Sequence, residues 1–200
     1  MLKNLLSITC FLLFFFINFS NTFAYYTYTD EEKLGKQVFS LVLKHVELVE
    51  DPELTSYVSE IGYFLIKKGT YSIPSNFKIF LVKSPQFNAF NLPGNYILVN
   101  TGVFKDIESE DELAGIIAHE IAHALKHHVI KQLKVAERLS LTTIALTLAS
   151  LLLGGPEVGI ATHYTTSAVM QTKFLAYSRK DEREADIVGM KSLEKQDIVL

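Results

Sequence analysis

Ala118-His119-Glu120-Ile121-Ala122-His123 sets two imidazoles four residues apart, with a glutamate directly after the first. On a helix, residues four apart lie on one face, one turn above each other. Two such histidines suit one tetrahedral zinc, and Glu120 falls where a general base towards metal-bound water belongs. The flanks supply the helix. Ser109 and Glu112 form an S-x-x-E capping box, with Glu110 and Asp111 in the turn where the macrodipole favours acid. Leu113, Ile116, Ile117, Glu120 and Ala124 continue at helical spacing, and Lys126, Lys131, Lys134 and Arg138 favour the other end.

Just upstream, residues 73–104 change period. Phe77 to Val82 and Tyr96 to Asn100 read as strands, with Pro93-Gly94-Asn95 as a turn. An open strand ahead of a zinc helix can pair with an extended peptide and lay a peptide bond over the metal. Tyr96, Ile97, Leu98, Val99 and Asn100 are expected to be that edge strand. Residues 27–69 read as two helices. The first opens on a Thr29/Glu32 capping box; the second starts at Asp51-Pro52 and closes at Gly69. His45 is expected to be structural.

Residues 1–24 have the order of a signal peptide: Lys3, an apolar run from Leu5 to Phe19, then Ala24 at the cleavage point. The run is about 15 residues, short of the about 20 needed to span a membrane. The only cysteine, Cys10, lies inside it, so residues 25–200 contain no thiol and no thiolate zinc site. A net charge of −3 gives no sign of a nucleic-acid partner.

Downstream, residues 139–153 form a second apolar run of about 15 residues, closed by Gly154-Gly155-Pro156. It is expected to be a buried or membrane-facing hairpin helix that can touch a membrane surface. Residues 157–172 are expected to return, with His163 structural. The segment from Tyr177 to Asp186 is charged and helical, with Glu182 and Asp186 four apart on one face. These two can supply a third zinc ligand and an outer carboxylate that orients a histidine. A solvated helix with i,i+4 ion pairs carries the same pattern.

Taken together, His119-Glu120-x-x-His123 and Glu182-x-x-Ala185-Asp186 resemble metallopeptidase family 48, which includes the CAAX prenyl endopeptidases. Asn88-Ala89-Phe90, then Pro93-Gly94 and Gly102, is similar to that family's strand motif, and Ser178-Arg179 before Glu182 fits as well. The signal peptide and the apolar hairpin are most like its periplasmic branch. The resemblance implies an α+β fold, a mostly helical gluzincin-type domain over residues 25–200 with a small sheet ahead of the zinc helix. It implies His119, His123 and Glu182 as ligands of one zinc, Glu120 as base, and Asp186 behind the ligands. Asn88, Ala89 and Phe90 are implied to bind substrate together with Tyr96 to Asn100. Glu184 is the rival third ligand and His127 the fallback. Asn95 departs from the family's pattern, standing where a second glycine is usual. Periplasmic members usually continue past this length, so the chain reads as a minimal or a truncated form. The implied activity is endopeptidase action on misfolded or misassembled envelope proteins by an exported enzyme, periplasmic or on the periplasmic side of a membrane. The alternatives are a zinc-binding, chaperone-like quality-control module and a membrane-embedded peptidase.

Overall fold

The computed structural model describes residues 28–68, 77–135, 140–153 and 177–194. The elements are α1 Tyr28–Val42, α2 Pro52–Lys68, β1 Lys78–Val82, β2 Ala89–Leu92, β3 Tyr96–Asn100, α3 Val103–Asp106, α4 Glu110–Leu125, α5 His128–Val135, α6 Leu141–Leu152 and α7 Arg179–Glu194. This is the expected α+β class, helical with one small sheet ahead of the His-Glu-x-x-His helix. The segment read as a signal peptide, the Gly69 cap, Arg138, and the returning segment with His163 lie outside the described residues.

Local chemistry sets the helix starts. Asp51 Oδ1 accepts the N–H groups of Glu53 and Leu54, both at 3.0 Å, and Pro52 occupies the first turn. Ser109 Oγ accepts the Glu112 N–H at 3.2 Å, while the Glu112 carboxylate reaches back to the Glu108 N–H, one residue short of a full capping box. Tyr28 is already helical, so Thr29 lies inside α1 and does not cap it.

The sheet corrects one expectation. Its order is β1-β3-β2, so Tyr96–Asn100 is the central strand and not the edge. β1 runs parallel to β3, with Ile79 opposite Ile97, and β2 antiparallel, with Phe90 opposite Leu98. All five β3 residues are buried, Ile97 and Val99 towards one core and Tyr96 and Leu98 towards the other. A strand covered on both faces reads as a continuous apolar run, and YILVN is one. The edges are β1, whose outer side pairs with residues 47–49, and β2, which returns into β3 through Pro93-Gly94-Asn95. Gly94 and Asn95 both take positive φ, 75° and 64°. Asparagine tolerates that left-handed region better than most residues, so the turn survives the missing second glycine.

Two apolar cores flank the sheet. α1, α5 and α6 pack on one face, and α2 and α4 with Leu193 of α7 on the other. α6 turns Ile144, Ala145, Leu148 and Leu152 into the first core, so one face of the second apolar run is buried. No helix among the described residues is long and apolar enough to cross a membrane. The end of α6 is fastened to the sheet: Asn88 Nδ2 donates to the Leu151 carbonyl at 2.8 Å and Asn100 Nδ2 to that of Leu152 at 2.6 Å.

The zinc-type helix is shorter than its lysines suggested. α4 stops at Leu125, His127 takes φ 52°, and α5 sets off in a new direction. The break decides where His127 and His128 point.

Candidate active site

Small residues bring α4 and α7 together. Ala122 packs with Ala185 and Val188, and a Cβ on Gly189 would sit 3.3 Å from the Ala118 carbonyl. Close approach lets short carboxylate side chains on α7 reach histidines on α4. Glu182 Oε2 lies 3.3 Å from His119 Nε2 and 3.7 Å from His123 Nε2, and the two Nε2 atoms are 2.9 Å apart. Ligands at about 2.0–2.1 Å from a tetrahedral zinc stand about 3.3 Å from one another. The three donor atoms therefore fit a zinc ion, and both histidine rings offer Nε2 to it.

Each ring is held from behind. His119 Nδ1 meets Asp186 Oδ1 at 3.0 Å, the carboxylate–histidine arrangement that the Glu182/Asp186 spacing suggested. His123 Nδ1 meets His128 Nδ1 at 3.0 Å. His128 Nε2 in turn faces Glu184 at 3.3 Å and Asp181 at 3.5 Å. Glu184, the rival ligand, points away from His119 and pairs with Lys126 at 2.9 Å. His127, the fallback ligand, is turned away by its backbone and pairs with Glu31 of α1 at 2.7 Å. Burial first, then the neighbouring His119 and His128, pushes His123 down to about 3, so its ring is neutral and can offer a lone pair.

Glu120 is buried, and its Oε2 has no hydrogen-bond partner among the described residues. Burial, then the Glu182 charge, pushes its carboxyl up to about 8, against a backbone hydrogen bond from Asn91. Glu120 thus lines the same cleft as the three metal-type donors.

A cleft of about 330 Å³ opens here. Asn88, Ala89 and Phe90 form one wall and His119, Glu120 and Glu182 the other, with Leu151 and Tyr177 closing it. Ile97, Leu98 and Val99 do not reach it, being internal to the sheet. Asn100 N–H bonds the Asn88 carbonyl at 3.0 Å, so Asn88, Phe90 and Leu92 aim their backbone groups at β3. By alternation Ala89 and Asn91 aim theirs outward. The Asn91 carbonyl is taken by the Tyr177 hydroxyl at 3.3 Å, which leaves Ala89 as the outward position on the cleft. Sequence reasoning gave no role to Tyr177, Asn91 or His128. A buried aromatic just before Ser178-Arg179, and a further histidine five places after His123, were the available signals.

A family model described as Peptidase family M48 matches residues 52–200. The chain belongs to peptidase family M48. This M48 chain is 33% identical over 169 residues to a putative β-barrel assembly-enhancing protease of Vibrio cholerae, covering 83% of the chain and 35% of that relative. It is 29% identical over 168 residues to the β-barrel assembly-enhancing protease of Escherichia coli K12, covering 83% and 34%. With the mitochondrial metalloendopeptidase OMA1 of Schizosaccharomyces pombe it shares 31% over 136 residues, covering 68% and 38%. The M48 chain thus spans about a third of the length of the curated bacterial relatives it matches.

Proposed function

We propose that the chain is a zinc-dependent endopeptidase acting on unfolded or misassembled cell-envelope proteins. One observation carries this reading: a buried carboxylate, Glu120, beside three converging donors from His119, His123 and Glu182, in a cleft walled by a strand edge. His119, His123 and Glu182 would hold the zinc, which would supply a Lewis acid for the scissile carbonyl and for a water whose pKa falls towards about 7. Glu120 takes the proton and passes it to the leaving amine. Asp186 holds the His119 ring so that Nε2 faces Glu182. Ala89 pairs through its outward N–H and C=O with an extended substrate, so the strand edge lies at β2. Backbone pairing tolerates many side chains, which suits varied unfolded clients. The printed name of the bacterial relatives, β-barrel assembly-enhancing protease, supports envelope proteins as those clients.

The deciding experiment measures zinc per purified chain, then cleavage of unfolded casein with and without Glu120→Gln. The reading expects one zinc in both proteins and cleavage only in the unaltered chain. Zinc binding without Glu120-dependent cleavage would turn the reading towards a non-hydrolytic module. Export is part of the proposal: protein recovered from the cell should begin at or near Tyr25, and an intact Met1 would count against cleavage of residues 1–24.

A further inference from the structure

We infer that His128 is a positioning residue: it accepts the Nδ1 proton of His123 and so fixes the tautomer that leaves Nε2 of His123 free for a metal. The inference rests on the zinc site proposed above.

The tautomers follow from the partners. His128 Nε2 faces carboxylate oxygens of Glu184 at 3.3 Å and Asp181 at 3.5 Å. Ionised carboxylates only accept, so Nε2 of His128 carries the proton. A neutral His128 then has a bare Nδ1, and that atom lies 3.0 Å from Nδ1 of His123. His123 donates there, and its Nε2 lone pair is left towards His119 and Glu182. Both rings are fully buried, so water does not compete for either nitrogen. Lys126 holds the far end through Glu184 at 2.9 Å. The ordering thus runs from a half-exposed ion pair, through two rings, to the centre of the site.

The backbone break makes this contact. In an unbroken helix residue 128 would lie about 140° around the axis from residue 123. The left-handed His127 returns His128 to the His123 side. An imidazole also suits the spot better than a carboxylate would. A charge buried there needs compensation, whereas a neutral ring carries the hydrogen bond out to carboxylates nearer the surface.

His128, Asp181 and Glu184 could themselves be taken for a second metal site, since their donor atoms lie close together. A metal on Nε2 of His128 would move its proton to Nδ1. His123 would then have to accept at Nδ1 and carry its own proton on Nε2, where it could not bind zinc. The two sites exclude each other, and the hydrogen-bond chain favours the first.

The test uses the full chain with two substitutions at His128. His128→Leu fills the space but offers no acceptor; His128→Asn offers Oδ1 near the former Nδ1. Zinc affinity is measured by chelator competition. The proton position on the His123 ring is read by nitrogen-15 NMR in the zinc-free chain. The unaltered chain should bind one zinc and carry the His123 proton on Nδ1 before zinc is added. His128→Leu should weaken zinc by about 10- to 100-fold and mix the His123 tautomers, while His128→Asn stays close to the unaltered chain. A packing role predicts the reverse order, because leucine replaces buried volume and asparagine does not. Glu184→Ala, which leaves the core alone, should weaken zinc in the same direction by less. The inference is overturned by unaltered affinity in His128→Leu, by His128→Asn binding worse than His128→Leu, or by a second zinc that His128→Leu removes. Absence of zinc from the unaltered chain would sink the metal site instead. The zinc-free NMR would still decide for or against the His123–His128 hydrogen bond.

Discussion

The Tyr177 ring lies 3.8 Å from the His123 ring, centroid to centroid, at an interplanar angle of 21°. Its other face stacks on Phe90 at 5.5 Å, and its hydroxyl donates to the Asn91 carbonyl. Burial, with the Glu120 and Glu182 charges, raises the phenol well above its ordinary range, so it remains a neutral donor. Tyr177→Phe keeps the stack and loses one hydrogen bond, a loss of about 1 kcal/mol in urea unfolding. Tyr177→Ala opens a cavity against the His123 ring and should cost about 3–5 kcal/mol. An alanine variant that unfolds like the unaltered chain would refute this role.

Glu182→Ala should strip most of the zinc, because it removes one of three donors. Glu184→Ala should leave the chain loaded at saturating zinc, because its carboxylate faces Lys126 and His128. Metal analysis after desalting separates the two. Loss of metal from Glu184→Ala alone would reassign the ligand.

Proline separates the outer edge from the inner ladder. Ala89→Pro removes an outward N–H and should lower casein cleavage while leaving zinc content and folding intact. Val99→Pro, in the central strand, should unfold the sheet. A folded, zinc-loaded Ala89→Pro chain that cleaves at the unaltered rate would rule out pairing at this position.

Gly189 faces the Ala118 backbone at the α4–α7 contact. Gly189→Val must push the helices apart, carrying Glu182 and Asp186 away from His119. Zinc affinity should fall by about tenfold or more, as when an outer partner of a ligand is lost. Unchanged affinity would show that the spacing of the two helices does not set the site.

In the pH response of the zinc-free chain Glu120 opposes His123, His128 and Glu184, the last three all held below their ordinary values. Glu120 rises from 4.5 to about 8, so between those values the folded chain holds a proton the unfolded chain has released, and stability falls as pH rises. His123 drops from 6.5 to about 3, so across that window the unfolded chain binds the extra proton, and stability rises with pH. The slopes oppose between 4.5 and 6.5. Melting temperature should therefore climb from pH 3, more gently above 4.5, and decline between 6.5 and about 8. Glu120→Gln should abolish the decline, and zinc, whose charge favours the carboxylate, should flatten it. A decline that persists in Glu120→Gln would assign it to another group.

The chemistry-bearing spacings were legible because they are local. His119, Glu120 and His123 share one helix face, and Glu182 and Asp186 share another, so each set could be read from its own few residues. The class of fold and the two longer strands were legible for the same reason. Strand order was not, because it depends on residues 89–92, a four-residue strand whose partner lies across a turn. That single omission moved the edge from β2 to β3. His128 escaped notice because helical periodicity assumes an unbroken helix, and one positive φ at His127 cancels the assumption. Tyr177 precedes α7 and meets His123 only through tertiary packing.

The asparagine amides that fasten α6 to the sheet make that helix a handle on the groove. Asn88 walls the groove while holding the Leu151 carbonyl, and Leu151 itself walls it from the other side. Drawing residues 141–152 away from the sheet would therefore widen the mouth where a peptide enters, with one hydrogen bond as the linkage. A pull on the outer side of α6 would reach Asn88 and the strand wall of the groove by traction, with no contact to His119, Glu120 or Glu182.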